Sequence, residues 1–145
     1  MMKILLRCAF VVLVLGVMGC SSGVNWDYDQ LADFSKYRSF NWLPVQDTSD
    51  SYQVERVKRA IVLNLTQRGY LQGGAAPTLL ISIKINDADA PEILELTMID
   101  AETSRRIWDA STQFYPPQNQ SPSDADKKYQ DVVGKLLRYF PPDKD

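Results

Sequence analysis

Two aspartates near the start of the chain have the residue type and spacing that acid–base chemistry uses. Asp27 and Asp29 stand two residues apart and alternate with Trp26 and Tyr28. Residues two apart in an extended strand share a face, so we expect both carboxylates to lie opposite the two rings. Paired carboxylates beside aromatic rings are typical of enzymes that cleave glycosidic bonds. Solvent-facing aspartates on a strand are the simpler interpretation, and at this point both stay open.

Other residue types limit the chemistry that is available. The chain contains no histidine, the commonest general base and the commonest metal ligand. A serine nucleophile would therefore lack its usual partner. Asp87 begins a segment similar to a calcium loop, but Glu92 replaces the required glycine and Met98 replaces the final glutamate. We predict no catalytic residues, no metal site and no cofactor, and we interpret the acidic stretch 86–92 as a solvated turn between two strands.

An aromatic group between positions 26 and 42 is a second candidate site. Its rings could stack on sugars, although aromatic residues at strand spacing more often form core. Trp42 joins Asp27 and Asp29 as a candidate binding residue. The aromatic residues are Trp26, Tyr28, Phe34, Tyr37, Phe40 and Trp42.

Residues 1–19 have the organisation of a secretory signal peptide. Lys3 and Arg7 supply a cationic segment, and the apolar run that follows is shorter than the roughly 20 residues that span a bilayer. Residues 17–20 read Val-Met-Gly-Cys and resemble the bacterial lipobox. This resemblance implies transfer of diacylglycerol to the Cys20 thiol, cleavage after Gly19 and N-acylation of the new terminus.

Lipidation of Cys20 predicts the organisation and the location of the mature protein. Cys8 leaves with the leader, so no free thiol and no disulfide would remain. Two or three acyl chains, at about 0.8 kcal/mol per buried methylene, anchor a protein without a transmembrane helix. Ser21 follows the cysteine, which in bacteria with two membranes favours the periplasmic face of the outer membrane. Residues 20–23 would form the lipidated tether, and residues 24–145 a single periplasmic domain.

The charge of the chain makes nucleic acid a poor partner. Sixteen basic and 18 acidic residues give a net charge of −2, and loss of the leader's two basic residues leaves about −4. A mildly acidic domain without a basic stripe does not attract phosphate backbones. The partners we predict are the membrane, through the lipid anchor, and another envelope protein or a cell-wall component.

Apolar periodicity predicts an α+β domain. Alternation indicates five strands, and apolar residues at spacings of three and four indicate two amphipathic helices. The first helix begins at Asp50 or Ser51 and ends at Gly69, and the second covers about 124–139. We expect a largely antiparallel sheet of about five strands with both helices packed on one face. The predicted strands cover residues 24–28, 37–42, 78–86, 93–99 and 105–114.

Four stretches of the mature chain carry a family pattern. They are 26–29 with the aromatics up to Trp42, the Arg68-Gly69-Tyr70 turn, the hairpin 96–108 with Asp100-Ala101 at its turn, and the closing segment 136–142. In this order they resemble a family of bacterial lipoproteins known as domain of unknown function 4136. The resemblance implies the fold and an envelope location, and it implies no reaction because none is established for the family. Segment 86–92 is shorter than the glycine-rich segment that members often carry there.

The sequence favours a non-catalytic envelope lipoprotein whose domain binds or helps to assemble another envelope component. The alternative is a small peptidoglycan-directed hydrolase or carbohydrate-binding domain that uses Asp27, Asp29 and the nearby aromatics. A third possibility is a carrier that holds an apolar ligand between helices and sheet.

Replacement of the predicted lipid attachment residue tests the lipobox directly. We expect Cys20→Ala to retain the leader and to carry no lipid, because the thiol that accepts diacylglycerol is gone. Intact-mass measurement of the two proteins purified from cell membranes checks this. A wild-type mass equal to that of the full unmodified chain would contradict the lipobox.

Overall fold

The structure is a computed structural model that describes residues 23–44, 51–86 and 91–142. The predicted signal peptide, Cys20 and the acidic positions 87–90 lie outside these residues. Within them, six strands, two α-helices and one short 3₁₀ helix (Phe34–Lys36) are formed. The strands are β1 (Val24–Tyr28), β2 (Ser39–Trp42), β3 (Leu71–Gln72), β4 (Leu79–Asn86), β5 (Glu92–Asp100) and β6 (Arg106–Phe114). The helices are α1 (Ser51–Gln67) and α2 (Pro122–Leu137).

The strands pair into one mixed sheet in the order β1-β6-β5-β4-β2-β3. The four strands from β1 to β4 in this order pair antiparallel, whereas β2 pairs parallel with both β4 and β3. The parallel pairing follows from α1, because a helical crossover returns the chain to the end from which the preceding strand started. The α+β class and the two helices are confirmed. The strand count is corrected from five to six, since two-residue β3 has no alternation that reveals it.

One face of the sheet is apolar and carries the core. In β4 the side chains of Leu79, Ile81, Ile83 and Ile85 are buried, while the residues between them are half-buried or exposed. Directly paired residues of neighbouring strands share a face, and Leu96 and Met98 of β5 continue this buried layer. Each such side chain contributes roughly 1.5–3 kcal/mol when it leaves water.

The two helices cover this face with the stripes that their periodicity predicts. In α1 the buried stripe contains Val54, Val57, Ile61 and Leu65. In α2 it contains Tyr129, Val132, Val133, Leu136 and Leu137. Among the described residues, no helix is long and apolar enough to cross a bilayer.

Two arginines of α1 fasten the helices to each other at both ends. Near the start of α1, the buried Arg56 donates to the Pro122 carbonyl at 3.1 Å and forms an ion pair with Asp126. Just beyond the end of α1, the Arg68 guanidinium donates to the carbonyl oxygens of Leu137 at 2.8 Å and Phe140. The two helices therefore run in the same direction, and Arg68 satisfies carbonyls that the end of α2 leaves without helical partners.

Phe140 closes the core beyond the end of α2. Its side chain is 1% exposed, and its ring centroid lies 5.3 Å from Trp108, 5.9 Å from Tyr70 and 6.0 Å from Phe34. Trp108 also donates its indole N–H to the Tyr139 carbonyl at 2.9 Å. The C-terminal segment thus locks onto β6, the 3₁₀ helix and the turn after α1 simultaneously.

Phe140→Ala is expected to lower the free energy of unfolding by about 3–5 kcal/mol, because it leaves a cavity where three other aromatic rings meet. The matched control is Leu31→Ala, since Leu31 is 86% exposed and its truncation should change that free energy by less than about 0.5 kcal/mol. Urea denaturation followed by circular dichroism measures both. Equal effects of the two substitutions would contradict the role given to Phe140.

Candidate functional site

Asp27 and Asp29 lie at the free edge of the sheet. β1 is an edge strand, and Asp27 pairs with Asp109 of β6 on the face opposite the helices. Asp29 follows the strand, where its carboxylate accepts a hydrogen bond from the Leu31 amide at 2.9 Å and pairs with Arg105. A turn residue with a local amide and an arginine as partners has a structural role, whatever else it does.

Both aspartates line one small surface pocket of about 230 Å³. The pocket also contains Asp109 and Arg106, which form an ion pair at 2.9 Å. Directly paired strand residues have Cβ atoms about 5 Å apart, so Asp27 and Asp109 bring two carboxylates close together. Chemically, this arrangement can accept hydrogen bonds from hydroxyl or ammonium groups of a ligand. Sequence reasoning missed Asp109 and both arginines, because only strand pairing brings them to Asp27.

Trp42 lies far from this pocket, near the opposite edge of the sheet. Its strand, β2, is separated from β1 by three intervening strands. Trp42 packs edge-on against Phe40 with 5.8 Å between ring centroids, and the Lys58 ammonium lies 5.8 Å from its ring centre. The structure therefore does not join Trp42 with Asp27 and Asp29 into one site.

Trp42 instead forms the floor of an open groove, here called the α1 groove, of about 470 Å³. The groove runs between α1 and the β2–β3 edge of the sheet. It combines one aromatic ring, the exposed Leu63 and the charged side chains of α1. The lining residues used below are Trp42, Glu55, Lys58, Arg59, Leu63 and Gln72.

The other aromatics of the N-terminal group pack against neighbouring rings, and Phe34, Tyr37 and Phe40 are buried in the core. Phe34 and Tyr37 are buried and make an edge-on pair at 6.0 Å. Trp26, 41% exposed, stacks on Tyr28 at 5.8 Å and on Tyr139 at 5.1 Å. Rings that are stacked on one another in this way have their faces occupied, which favours the core interpretation over sugar stacking.

Asp100, at the turn between β5 and β6, is a buried carboxylate that sequence reasoning did not single out. Its side chain is 5% exposed and bonds to the Lys36 ammonium at 2.6 Å and to the Tyr37 hydroxyl at 2.8 Å. Its other oxygen accepts the backbone amides of Glu102 at 2.9 Å and Thr103 at 3.0 Å. An aspartate followed by a short polar turn was the available signal, because such residues bond to amides two or three positions ahead.

These partners determine the protonation of Asp100. Burial acts to raise its pKa, but the hydrogen bonds from Lys36, the Thr103 amide and Tyr37 outweigh burial and hold the pKa well below its ordinary range. Conversely, burial and the hydrogen bond to this carboxylate raise the pKa of Tyr37. Asp100 therefore stays ionised at neutral pH and joins the hairpin turn to the 3₁₀ helix.

The described residues contain no group of three or more histidine, cysteine, aspartate or glutamate side chains placed to hold a metal ion. Of the twelve positions in the calcium-loop comparison, only 87–90 lie outside them, and for these the interpretation as a turn stays a prediction. From Glu92, which is buried, the segment belongs to β5.

The fold and the position of these residues define a single-sheet α+β domain with one helix-covered face and polar side chains on the other. The chain belongs to the family described as domain of unknown function (DUF4136), whose model matches residues 24–142. The resemblance stated from the sequence is thereby confirmed. A comparison with curated proteins gave no match.

Solved structures share the fold at low sequence identity. A PDZ domain protein from Parabacteroides distasonis matches at a TM-score of 0.56 and 15% identity, over 85% of this chain but 36% of that one. The PelC dodecamer from Paraburkholderia phytofirmans matches at 0.50 and 12% identity, over 78% of this chain and 96% of that one. Lipoprotein GNA1162 from Neisseria meningitidis matches at 0.42 and 12% identity, over 67% and 95%. The chain thus spans about a third of the first protein and nearly all of the PelC chain.

Asp100→Asn is expected to lower the free energy of unfolding at pH 7 by about 1.5–3 kcal/mol, because charge-assisted hydrogen bonds are lost. The folded-state pKa of Asp100 lies below its ordinary value of 3.8. Its stabilising effect is therefore present above that value and is lost as the pH falls further. The wild type should lose more stability than the variant between pH 5 and pH 3, as measured by urea denaturation. Asp109→Asn is the control, since its partly exposed ion pair with Arg106 should contribute less than about 1 kcal/mol. A pH dependence unchanged by Asp100→Asn would contradict this assignment.

Proposed function

We propose that this protein is a lipid-anchored lipoprotein of the bacterial envelope, located at the periplasmic face of the outer membrane. Its domain binds another envelope component and catalyses no reaction. The observation that carries the proposal is the lipobox-like sequence at residues 17–20, which ends three positions before the first residue that the structure describes. That residue is Gly23, whose carbonyl accepts a hydrogen bond from the buried Thr112 at 2.8 Å.

The spacing between anchor and domain supports a binding role close to the membrane. Cys20 and Gly23 are three residues apart, which permits a separation of at most about 11 Å between their Cα atoms. A domain held this close to a bilayer meets partners that are themselves in or near that membrane. Tethering raises the effective concentration of such partners, so a weak surface contact is sufficient for association.

The α1 groove is the surface we assign to this partner. It is the larger of the two candidate sites, and it combines an aromatic ring with exposed apolar and basic side chains. Trp42 and Arg59 are residue types that are enriched at protein interfaces, and Leu63 adds exposed apolar surface. Lys58 is paired with Glu55 at 2.9 Å and Arg59 with Asp126 at 3.1 Å, so neither cation lacks an acidic partner. We therefore propose an envelope protein with an apolar contact segment as the partner.

A peptidoglycan-directed activity is the second candidate, and the pocket of Asp27, Asp29 and Asp109 favours it. Against it stand the ion pairs of Asp29 with Arg105 and of Asp109 with Arg106. A carboxylate that must donate or accept a proton in each turnover works best without a permanent arginine partner. Asp27 is the carboxylate on which this activity would depend.

Crosslinking in intact cells tests the proposal. The full-length protein with a C-terminal tag is crosslinked, purified and analysed by mass spectrometry. We expect one specific envelope protein, lost with Cys20→Ala because the unlipidated protein keeps its leader and is not delivered to the outer membrane. Leu63→Glu should reduce recovery about tenfold, which corresponds to about 1.4 kcal/mol of binding free energy. Leu31→Glu, a matched substitution at a more exposed leucine, should leave recovery unchanged.

Two results would contradict the binding role. One is recovery of the same proteins from the Cys20→Ala strain. The other is turnover of purified peptidoglycan by the wild-type protein that is lost on Asp27→Asn, which would establish the second candidate instead.

A further inference from the structure

The strand registers and the contacts between the helices distinguish two ends of the fold. The tether end contains Gly23, the C-terminal end of β6 with Tyr115 and the starts of both helices. The Arg56–Pro122 contact holds those two helix starts together. The far end contains Leu31, Leu71 and the Asp100 turn. The two ends are about 25 Å apart, since α1 has 17 residues and a helix rises about 1.5 Å per residue.

The tether end lies next to the membrane if Cys20 is lipidated. Gly23 is fixed to β6 through Thr112 at 2.8 Å, and Val24 continues directly into the ladder opposite Thr112. Three residues of extended chain reach only about 11 Å. The domain therefore has little freedom to move away from the headgroups or to turn its far end towards them.

The surface at the tether end has the composition of an interfacial contact. Tyr52 is 62% exposed and lines a shallow cleft between the helix starts and Pro116-Pro117. Tyr115 is 63% exposed and directly precedes Pro116. The stretch 115–123 reads Tyr-Pro-Pro-Gln-Asn-Gln-Ser-Pro-Ser and carries no charged side chain. Tyrosine places an apolar ring and a polar hydroxyl at the boundary between headgroups and acyl chains, and it is enriched there. The Tyr52 hydroxyl accepts a hydrogen bond from Arg56 at 2.7 Å, and the Arg56 guanidinium lies 4.6 Å from the centre of the Tyr52 ring. The contact with the headgroups is therefore assigned mainly to Tyr115 and to the exposed side of Tyr52.

The far end combines charged side chains with the exposed Leu31 and Leu71. Lys36, Glu102 and Arg105 are exposed around the Asp100 turn. Charged groups lose hydration when they approach a bilayer, so this end is suited to water. The connection between β4 and β5 also lies at the tether end, because Glu92 pairs with Phe114. Its acidic positions 87 and 89 lie outside the described residues. The membrane contact proposed below therefore uses only the part of the tether end that is formed by the helices.

We propose that Tyr52, Tyr115 and Pro116-Pro117 rest on the headgroup region of the membrane that carries the anchor. This inference depends on the proposed lipid anchor. The contact fixes the orientation of the domain: the helices stand away from the bilayer, and the α1 groove opens sideways, parallel to the membrane surface. The envelope partner is then met from the side, above the same membrane.

Depth-dependent quenching tests this orientation with the protein as cells make it. Four single substitutions of exposed residues supply a thiol: Tyr52→Cys, Tyr115→Cys, Leu31→Cys and Leu71→Cys. Each lipidated protein is purified from membranes, labelled with the fluorophore NBD and inserted into phosphatidylethanolamine–phosphatidylglycerol vesicles. Cys20 is blocked by its lipid and Cys8 is removed, so each protein has one reactive thiol. Circular dichroism confirms that the four variants are folded.

Lipids with a nitroxide on the headgroup should quench the labels at 52 and 115 at least about threefold more than those at 31 and 71, because the far end is about 25 Å away. Equal quenching at all four positions, with an intact mass that shows the lipid, would overturn the orientation and leave the anchor standing. A mass without lipid would overturn both.

Discussion

The structure depends on covering one apolar face of a six-stranded sheet with only two helices. α1 and α2 run in the same direction and are held together at both ends by Arg56 and Arg68. The remaining gap, beyond the end of α2, is filled by Phe140 against Trp108 and Tyr70. These contacts join the C-terminal segment to residues that are distant in the chain. Water is therefore excluded from this part of the sheet face only when the C-terminal segment is packed against it.

Because the apolar face is covered, the polar and charged groups that could bind a ligand lie at the edges of the sheet and at its turns. Asp100 is committed to the turn through Lys36 and Tyr37, and Asp29 is committed to Arg105. Among the described residues, open surfaces remain at the acidic pocket of the β1 edge, at the α1 groove near the opposite edge and at the cleft between the helix starts. The anchor just before β1 adds a constraint of a different kind, because it limits which of these surfaces a partner can approach above the membrane.

Much of this fold is predictable from local pattern, because burial repeats with the period of each element. The apolar alternation over Leu79–Ile85 matches the buried face of β4, and the apolar stripe over 54–65 matches the buried face of α1. The apolar pattern of a single strand does not, however, show which other strands it pairs with. It cannot show that β2 pairs parallel with β4, or that two-residue β3 exists beside it.

The same limit applies to the candidate site. Asp27 and Asp29 share a pocket as their spacing suggests, yet Asp109 and Arg106 join them only through the register of β1 and β6. Trp42 is adjacent to the other aromatics in sequence and remote from Asp27 in space, because three strands separate β2 from β1. Asp100 bonds to Tyr37 across 63 positions of chain, a contact that no local pattern contains.

Site-specific photocrosslinking in living cells tests the central claim, that an anchored domain binds an envelope partner through the α1 groove. A photoreactive amino acid is placed at position 63 in the groove, and at positions 84 and 95 on the polar face of the sheet. The account predicts one discrete adduct with an envelope protein from position 63 and none from the other two. No adduct at position 63, or the same adduct from all three positions, would contradict it.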